Sequence, residues 1–568
     1  MDGRGPARGD WGARAARRRG CVLVCSLPLA ETTMAAEDEP PPAEAMETGE
    51  DGPDGEEDVS GDGPAGTPAF KRCLEQVRLN ASCFASWSLL LAEAEASQNA
   101  MLESIFGQFL ANFPQLYGYW NKYARCVYAR AMRESGGDLE AAASEACAVY
   151  ERGVAATGGA SVDLWVKYGE FLALESGLPP PRVRGVLARA CAASSHDPRS
   201  PLVFRALCRY EEGLGDKVRL LAAYRMACGA AQTTEPDDLG VPGREEVLEL
   251  VGDLAAAVDD WGPDCGTCDD FLCACGAENN QARKRDKARA PYELRLRRAY
   301  YHVKPLDDGQ LAAWRAYLDF EERQGDAART RALYERCLVV CANYPEFWCR
   351  YATWLEDPAE AAAALERGAA FLKQAPDLRL LLALFHEAAG RVDAARDVYE
   401  DVCERVAPGL LEAVVAFAQF ERRCGNLEDV VAIYRDALAR ATSATVKAFV
   451  AAHLARFQHT VLRDANAARC TLEAAIRANP ATRDLWVAYY TLEAQADDGH
   501  AMDRVALLFK HALGDDAGLA RSDQATLWEL YLHHVEDLGP SVDQVLQVRD
   551  DHDAWKRKKK AGARAAAN

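Results

Sequence analysis

Apolar and polar positions in residues 311–356 follow a helical rhythm. Trp314, Tyr317, Leu318 and Glu321 fall at i, i+3, i+4 and i+7, one face of an α-helix. Gly325 and Asp326 interrupt that face. A second run through Leu333, Tyr334, Arg336, Cys337 and Leu338 predicts another helix, which ends before Pro345, since a proline ring cannot continue a helix interior. The first pattern then restarts at Trp348, Tyr351, Trp354, Leu355 and Glu356, and 348 − 314 = 34 residues separate the two tryptophans. A helix–turn–helix unit repeated at that period predicts an all-α fold, an α-solenoid.

The first-helix pattern, an aromatic followed three residues later by a second aromatic or aliphatic and then by Glu, recurs along the chain. It is strongest at Trp120/Tyr123, Trp165/Tyr168, Trp314/Tyr317, Trp348/Tyr351 and Trp486/Tyr489. Weaker copies start at Trp87, Phe204, Leu380, Val414, Phe449 and Trp528. Second helices match at Val149-Tyr150-Glu151-Arg152, Leu333-Tyr334-Glu335-Arg336, Val398-Tyr399-Glu400-Asp401 and Ile433-Tyr434-Arg435-Asp436. Roughly ten or eleven units result. A lone helical hairpin cannot bury its apolar face, whereas stacked hairpins share a continuous core. These aromatics therefore read as packing residues. A Glu that recurs with the period (Glu321, Glu356, Glu421, Glu493) reads as a structural partner of the adjoining helix.

Paired in this way, the two signatures resemble the HAT (half-a-tetratricopeptide) repeat. Tyr301-His302-Val303-Lys304-Pro305-Leu306, the Trp314…Glu321 helix, Tyr334-Glu335-Arg336-Cys337 and Phe347-Trp348-x-x-Tyr351-Ala352 resemble the pre-mRNA-processing factor 39 family. The resemblance spans roughly residues 70–540 and is most specific at 301–356. It implies a non-catalytic splicing scaffold in the nucleus. Such a scaffold joins U1 small nuclear ribonucleoprotein (snRNP) proteins, supports recognition of 5′ splice sites, including alternative ones, and forms a homodimer through its C-terminal array, within about 440–545. The alternatives are a HAT scaffold of 3′-end cleavage or ribosomal RNA maturation and, in another class, a helical-repeat enzyme subunit such as a prenyltransferase α-subunit.

Composition narrows the reading. The 568 residues are 49% hydrophobic and carry a net charge of −21, which argues against a surface that binds nucleic acid throughout and leaves room for local basic patches. The 19 Cys are scattered, many within helix patterns, which fits a reducing compartment. No apolar run is long enough to span a membrane. Residues 1–66 are low-complexity and expected to be disordered, with an acidic Pro/Gly-rich part from Glu37. Arg17-Arg18-Arg19 before Cys21–Cys25 superficially resembles a signal peptide, but Met34 reads as an alternative start. Residues 67–232 then form an N-terminal array, 233–290 an irregular linker with a basic helical segment, 291–550 a C-terminal array and 551–568 a basic tail.

Candidate chemistry is sparse. Cys265, Cys268, Cys273 and Cys275 have thiolate spacing that could hold zinc, although the two pairs sit too close together for a usual tetrahedral site, and incidental thiols are the plainer reading. Arg283, Lys284, Arg285, Lys287 and Arg289, leading into Arg295, Arg297 and Arg298, read as a solvated helix face or as a contact for RNA or an acidic partner. Lys556-Arg557-Lys558-Lys559-Lys560 reads as a nuclear localisation signal. Phosphate-binding Gly-Lys-Ser/Thr, Gly-x-Ser-x-Gly and His-Glu-x-x-His motifs are absent from the sequence, so neither enzyme activity nor a cofactor is expected.

Overall fold

The computed structural model describes residues 68–81, 83–97, 101–231, 244–256, 268–496, 500–514, 517–539 and 541–565. The low-complexity segment 1–66, with its signal-like run and Met34, lies outside them, as does Cys265. Among the described residues there are α-helices, one π-turn at Val402–Val406 and no strand. The all-α solenoid expectation is met.

The hairpins begin and end on local chemistry. Asp138, Asp216, Asp326 and Asp464 cap the helices Leu139–Ala156, Lys217–Gly229, Ala327–Val340 and Ala465–Ala478 by accepting backbone N–H bonds two or three residues on. Pro345, Pro358 and Pro376 occupy the first turn of their helices, where a missing N–H costs nothing. Gly325 at φ +76° and Gly425 at φ +91° end helices Asp308–Gln324 and Leu411–Cys424 in the left-handed region. A side chain there would be strained.

The chain divides into two compact units, residues 1–372 and 373–568. In the first unit one core runs from Phe70 to Cys275. The stretch read as an irregular linker supplies two of its helices, Arg244–Ala256 and Cys268–Glu293, and both pack on Lys217–Gly229. Val247, Val251 and Ala255, spaced four apart, bury one face of the shorter helix. Arg244 pairs with Asp286, and Arg225 with Glu278 at 3.0 Å. Residues 232–243 and 257–267, on either side of Arg244–Ala256, lie outside the described residues. Later in the unit, helix Pro358–Phe371 returns against Leu102–Asn112. Gly158, at φ +63°, sits where a β-carbon would overlap the Glu335 carboxylate and the Arg367 guanidinium.

In the second unit the core is a relay of neighbouring clusters. It passes from Tyr399 and Phe420, through Val430, Tyr434 and Leu454, to Leu472, Trp486 and Phe509. It ends where Trp528 and Val535 meet Val548 of the last helix, Val542–Ala565. Each hairpin thus buries its face on the next one, as a solenoid requires. The stretch named as a basic tail is helical through Ala565, and His552 stacks between Trp528 and Trp555 at 5.3 and 5.9 Å.

Candidate functional site

The repeat motif residues converge on the hairpin interfaces. Trp120, Tyr123, Trp165, Tyr168, Trp314, Tyr317, Trp348, Tyr351 and Trp486 are buried, while Tyr489 is half-buried. The second-helix tyrosine of one hairpin stacks on the first-helix aromatic of the next: Tyr150 on Tyr168 at 4.6 Å, Tyr334 on Tyr351 at 5.0 Å and Tyr399 on Phe417 at 5.8 Å. The neighbouring Glu then accepts the next tyrosine's hydroxyl and an Arg from the following second helix. Glu151 accepts from Tyr168 at 3.1 Å and pairs with Arg189. Glu293 accepts from Tyr317 at 2.8 Å and from Arg336 at 2.7 and 2.9 Å. Burial, with those carboxylates alongside, pushes the Tyr168 and Tyr317 phenols up, so both remain donors.

The periodic Glu on the first helix has a different partner. Glu211, Glu321, Glu421 and Glu493 are buried, and each takes an Arg from the preceding helix: Arg184 at 2.7 Å, Arg289 at 2.5 Å, Arg396 at 2.6 Å and Arg469 at 2.7 Å. Glu493 takes Arg504 as well, at 2.5 Å. Burial works against its charge, but the two guanidinium groups outweigh it and hold the carboxyl below its ordinary range. The fourth periodic residue named from sequence, Glu356, is exposed.

Sequence reasoning expected a helix from Arg244 and a helical basic segment at 283–289 but missed that the second of these helices closes a repeat hairpin. Tyr292-Glu293, at the end of Cys268–Glu293, does the work of the Tyr-Glu motif: Tyr292 stacks on Tyr317 at 5.4 Å and Glu293 binds Tyr317 and Arg336. The dipeptide itself was the available signal. It also missed the indole bonds. Trp87, Trp120, Trp165, Trp348 and Trp486 each donate Nε1 to the carbonyl six residues upstream, at 2.8–3.0 Å.

The basic segment is divided by its helix. Arg289 is held by Glu321, Arg285 donates to the Gly229 carbonyl at 3.1 Å, and exposed Arg283 lies 3.5 Å from Glu245. Lys284 is exposed and Lys287 is exposed beside it. Arg285 and Arg289 therefore face the protein rather than a partner.

Cys268, Cys273 and Cys275 lie on one helix. Cys273 is exposed, whereas Cys275 is buried and hydrogen-bonds with Cys228 of Lys217–Gly229. Among the described residues no group of three or more His, Cys, Asp or Glu could hold a metal. Burial pushes the Cys191 and Cys208 thiols up to about 12, so they pack as small apolar groups. Lys556 and Arg557 are exposed on Val542–Ala565, and the backbone of Lys558, Lys559 and Lys560 continues that helix. No helix among the described residues is long and apolar enough to cross a membrane. Leu507, Leu538, Val542 and Leu546 on the last three helices are more than half exposed.

Two family models match the chain: the "PRP39 N-terminal HAT repeat" over residues 71–233 and the "PRP39 C-terminal HAT repeat" over 287–423. Among curated proteins, the chain is 27% identical to human "Pre-mRNA-processing factor 39", with 88% of this chain and 80% of that one covered. It is 28% identical to the Schizosaccharomyces pombe protein of the same name, covering 61% of this chain and 62% of that one. A more distant relative is "Cleavage stimulation factor subunit 77" of Arabidopsis thaliana, 24% identical over 48% of this chain and 39% of that one.

Proposed function

This chain belongs to the pre-mRNA-processing factor 39 family, and from that membership we propose that it is a non-catalytic scaffold of pre-mRNA splicing. Its work is to associate with U1 snRNP proteins and support recognition of 5′ splice sites, alternative ones included. The observation that carries the reading is that the family's N- and C-terminal repeat models match residues 71–233 and 287–423. Support comes from the motif residues, most of whose polar atoms are bonded within the array and leave surface rather than a reaction centre to act. Solenoids of this kind present extended binding faces.

Two further elements belong to the proposal. The chain pairs with a second copy through its C-terminal repeats, about 440–545, where Leu507, Leu538 and Val542 are exposed, as is Leu546 just beyond. The run from Lys556 to Lys560 directs it to the nucleus. Recovery of U1 small nuclear RNA and U1 proteins with the tagged full-length chain from nuclear extract tests the assignment. Recovery of 3′-end cleavage factors instead would favour the reading suggested by the Arabidopsis relative.

A further inference from the structure

Many arginines of this acidic protein meet a carboxylate on a neighbouring helix, and those of residues 294–306 do not. This strap, Leu294-Arg-Leu-Arg-Arg-Ala-Tyr-Tyr-His-Val-Lys-Pro-Leu306, joins helix Cys268–Glu293 to helix Asp308–Gln324 and is not helical beyond its first turn. It contains Arg295, Arg297, Arg298 and Lys304 and no acidic residue, in a chain of net charge −21. None of the four forms an ion pair among the described residues. Arg295, Arg297 and Lys304 are exposed, and so is His302.

The backbone of the strap is fixed, His302 Nδ1 accepting the Lys304 N–H at 2.9 Å, while the Arg295, Arg297 and Lys304 side chains make no hydrogen bond or ion pair among the described residues. Gln310, itself buried, accepts from the Arg297 N–H at 2.9 Å and donates to the Arg295 carbonyl at 2.8 Å. Arg199 donates to the Ala299 carbonyl at 3.3 Å, and Arg298 to the Lys304 carbonyl at 3.0 Å. Tyr301 is buried, its hydroxyl donating to Asn343 at 3.2 Å, and the Leu306 N–H donates to Tyr344 at 2.8 Å. Tyr300 between them is 47% exposed. A pinned, non-helical segment thus offers unpaired cations on either side of an open aromatic ring in the sequence. Cations alone would suit any acidic surface, but the open ring adds a stacking platform, the combination that binds single-stranded nucleic acid.

We infer that the strap 294–306 is a contact for single-stranded RNA, with Arg295, Arg297 and Lys304 on phosphates and Tyr300 stacked against a base. The inference deepens the proposed role in pre-mRNA splicing and rests on it for the choice of RNA. It also moves the expected basic contact away from 283–289, where three of five cations have partners within the fold.

The test is fluorescence anisotropy of the full chain with a labelled single-stranded RNA of about 12 nucleotides, titrated with salt. The triple variant R295Q/R297Q/K304Q weakens binding at least tenfold and flattens the salt dependence by roughly three phosphate contacts, each worth a slope of about 0.7. Tyr300→Ala weakens binding about five- to tenfold at an unchanged salt slope, and Tyr300→Phe retains it. Thermal midpoints of all variants match the parent, because the altered side chains are exposed. Failure to bind at low salt, a triple variant that binds as the parent does, or equal binding of a poly-glutamate probe that also depends on the strap overturns the inference. U1 recovery from extract with no RNA affinity at the strap leaves the scaffold standing and removes only this contact. Strap-dependent RNA binding without U1 recovery does the reverse.

Discussion

The indole Nε1 of Trp348 donates to the Ala342 carbonyl at 3.0 Å. Trp348 is the fourth residue of helix Pro345–Trp354, and a side chain in the first turn points back toward the helix start, so the ring reaches a carbonyl of the preceding turn. Trp87, Trp120, Trp165 and Trp486 hold the same place in their helices and make the same bond. Trp314 is equally buried but sits two turns into Asp308–Gln324, where the carbonyl six residues back lies in its own helix, and its Nε1 has no hydrogen-bond partner. Both rings are fully enclosed, so Trp→Phe removes similar volume at each. We expect Trp348→Phe to cost about 1–3 kcal/mol more than Trp314→Phe, because only the former strands a carbonyl. Denaturant midpoints of the two variants check this.

Arg336 joins Glu293 and Asp197, with its guanidinium over the Trp314 ring at 5.7 Å. Arg336→Leu leaves half-buried Glu293 without its cation and buried Asp197 with Arg199 alone, at 3.7 Å, and is expected to cost about 3 kcal/mol. The double variant Arg336→Leu with Glu293→Leu recovers part of that loss, since it removes one stranded charge. A double-mutant cycle by chemical denaturation reads the coupling. Additive costs would place the stabilisation in packing alone.

Glu493 gives a pH signature. Its folded carboxyl lies below the ordinary range, so the stability it confers is complete above the unfolded value of about 4.3 and fades as pH falls through the folded value. Glu493→Gln is expected to destabilise by about 3 kcal/mol at pH 7, with the gap from the parent narrowing in the acid range below about pH 4. Thermal midpoints at pH 7, 5 and 3.5 follow it. A constant gap would show that charge plays no part.

Thiol accessibility separates surface from core. Exposed Cys273 and Cys470 are expected to react with maleimide within minutes in the native protein, while Cys191, Cys208, Cys337 and Cys341 stay protected until denaturant is added. Mass spectrometry of peptides from timed reactions measures the difference.

The second copy is expected to leave when its seat is charged. Leu538→Asp with Val542→Asp shifts the mass in light scattering from two chains to one at micromolar concentration and leaves the helical circular dichroism unchanged. A parent chain that is already monomeric there would remove the dimer from the account.

The fold was legible because its largest side chains repeat. Trp314 and Trp348, Tyr334 and Glu335 announce a hairpin before any contact is known, and the buried periodic Glu has a readable need for a cation. Tyr292-Glu293 hides because 317 − 292 = 25 residues separate Tyr292 from Tyr317, where Tyr150 to Tyr168 and Tyr334 to Tyr351 take 18 and 17, and because Pro291 precedes it within the last turn. The strap between them adds the difference. The fate of the basic segment was not legible, since which side of a helix Arg285 and Arg289 occupy depends on Gly229 and Glu321, distant in sequence. Nor does the sequence distinguish an exposed Tyr300 from a buried Tyr301, adjacent and chemically alike.

The most direct measurement is quantification of small nuclear RNAs recovered with the tagged full-length chain from nuclear extract, against a tag-only control. The account predicts enrichment of U1 small nuclear RNA and its proteins above all other small nuclear RNAs. Recovery of cleavage factors or ribosomal precursors without U1 would contradict it.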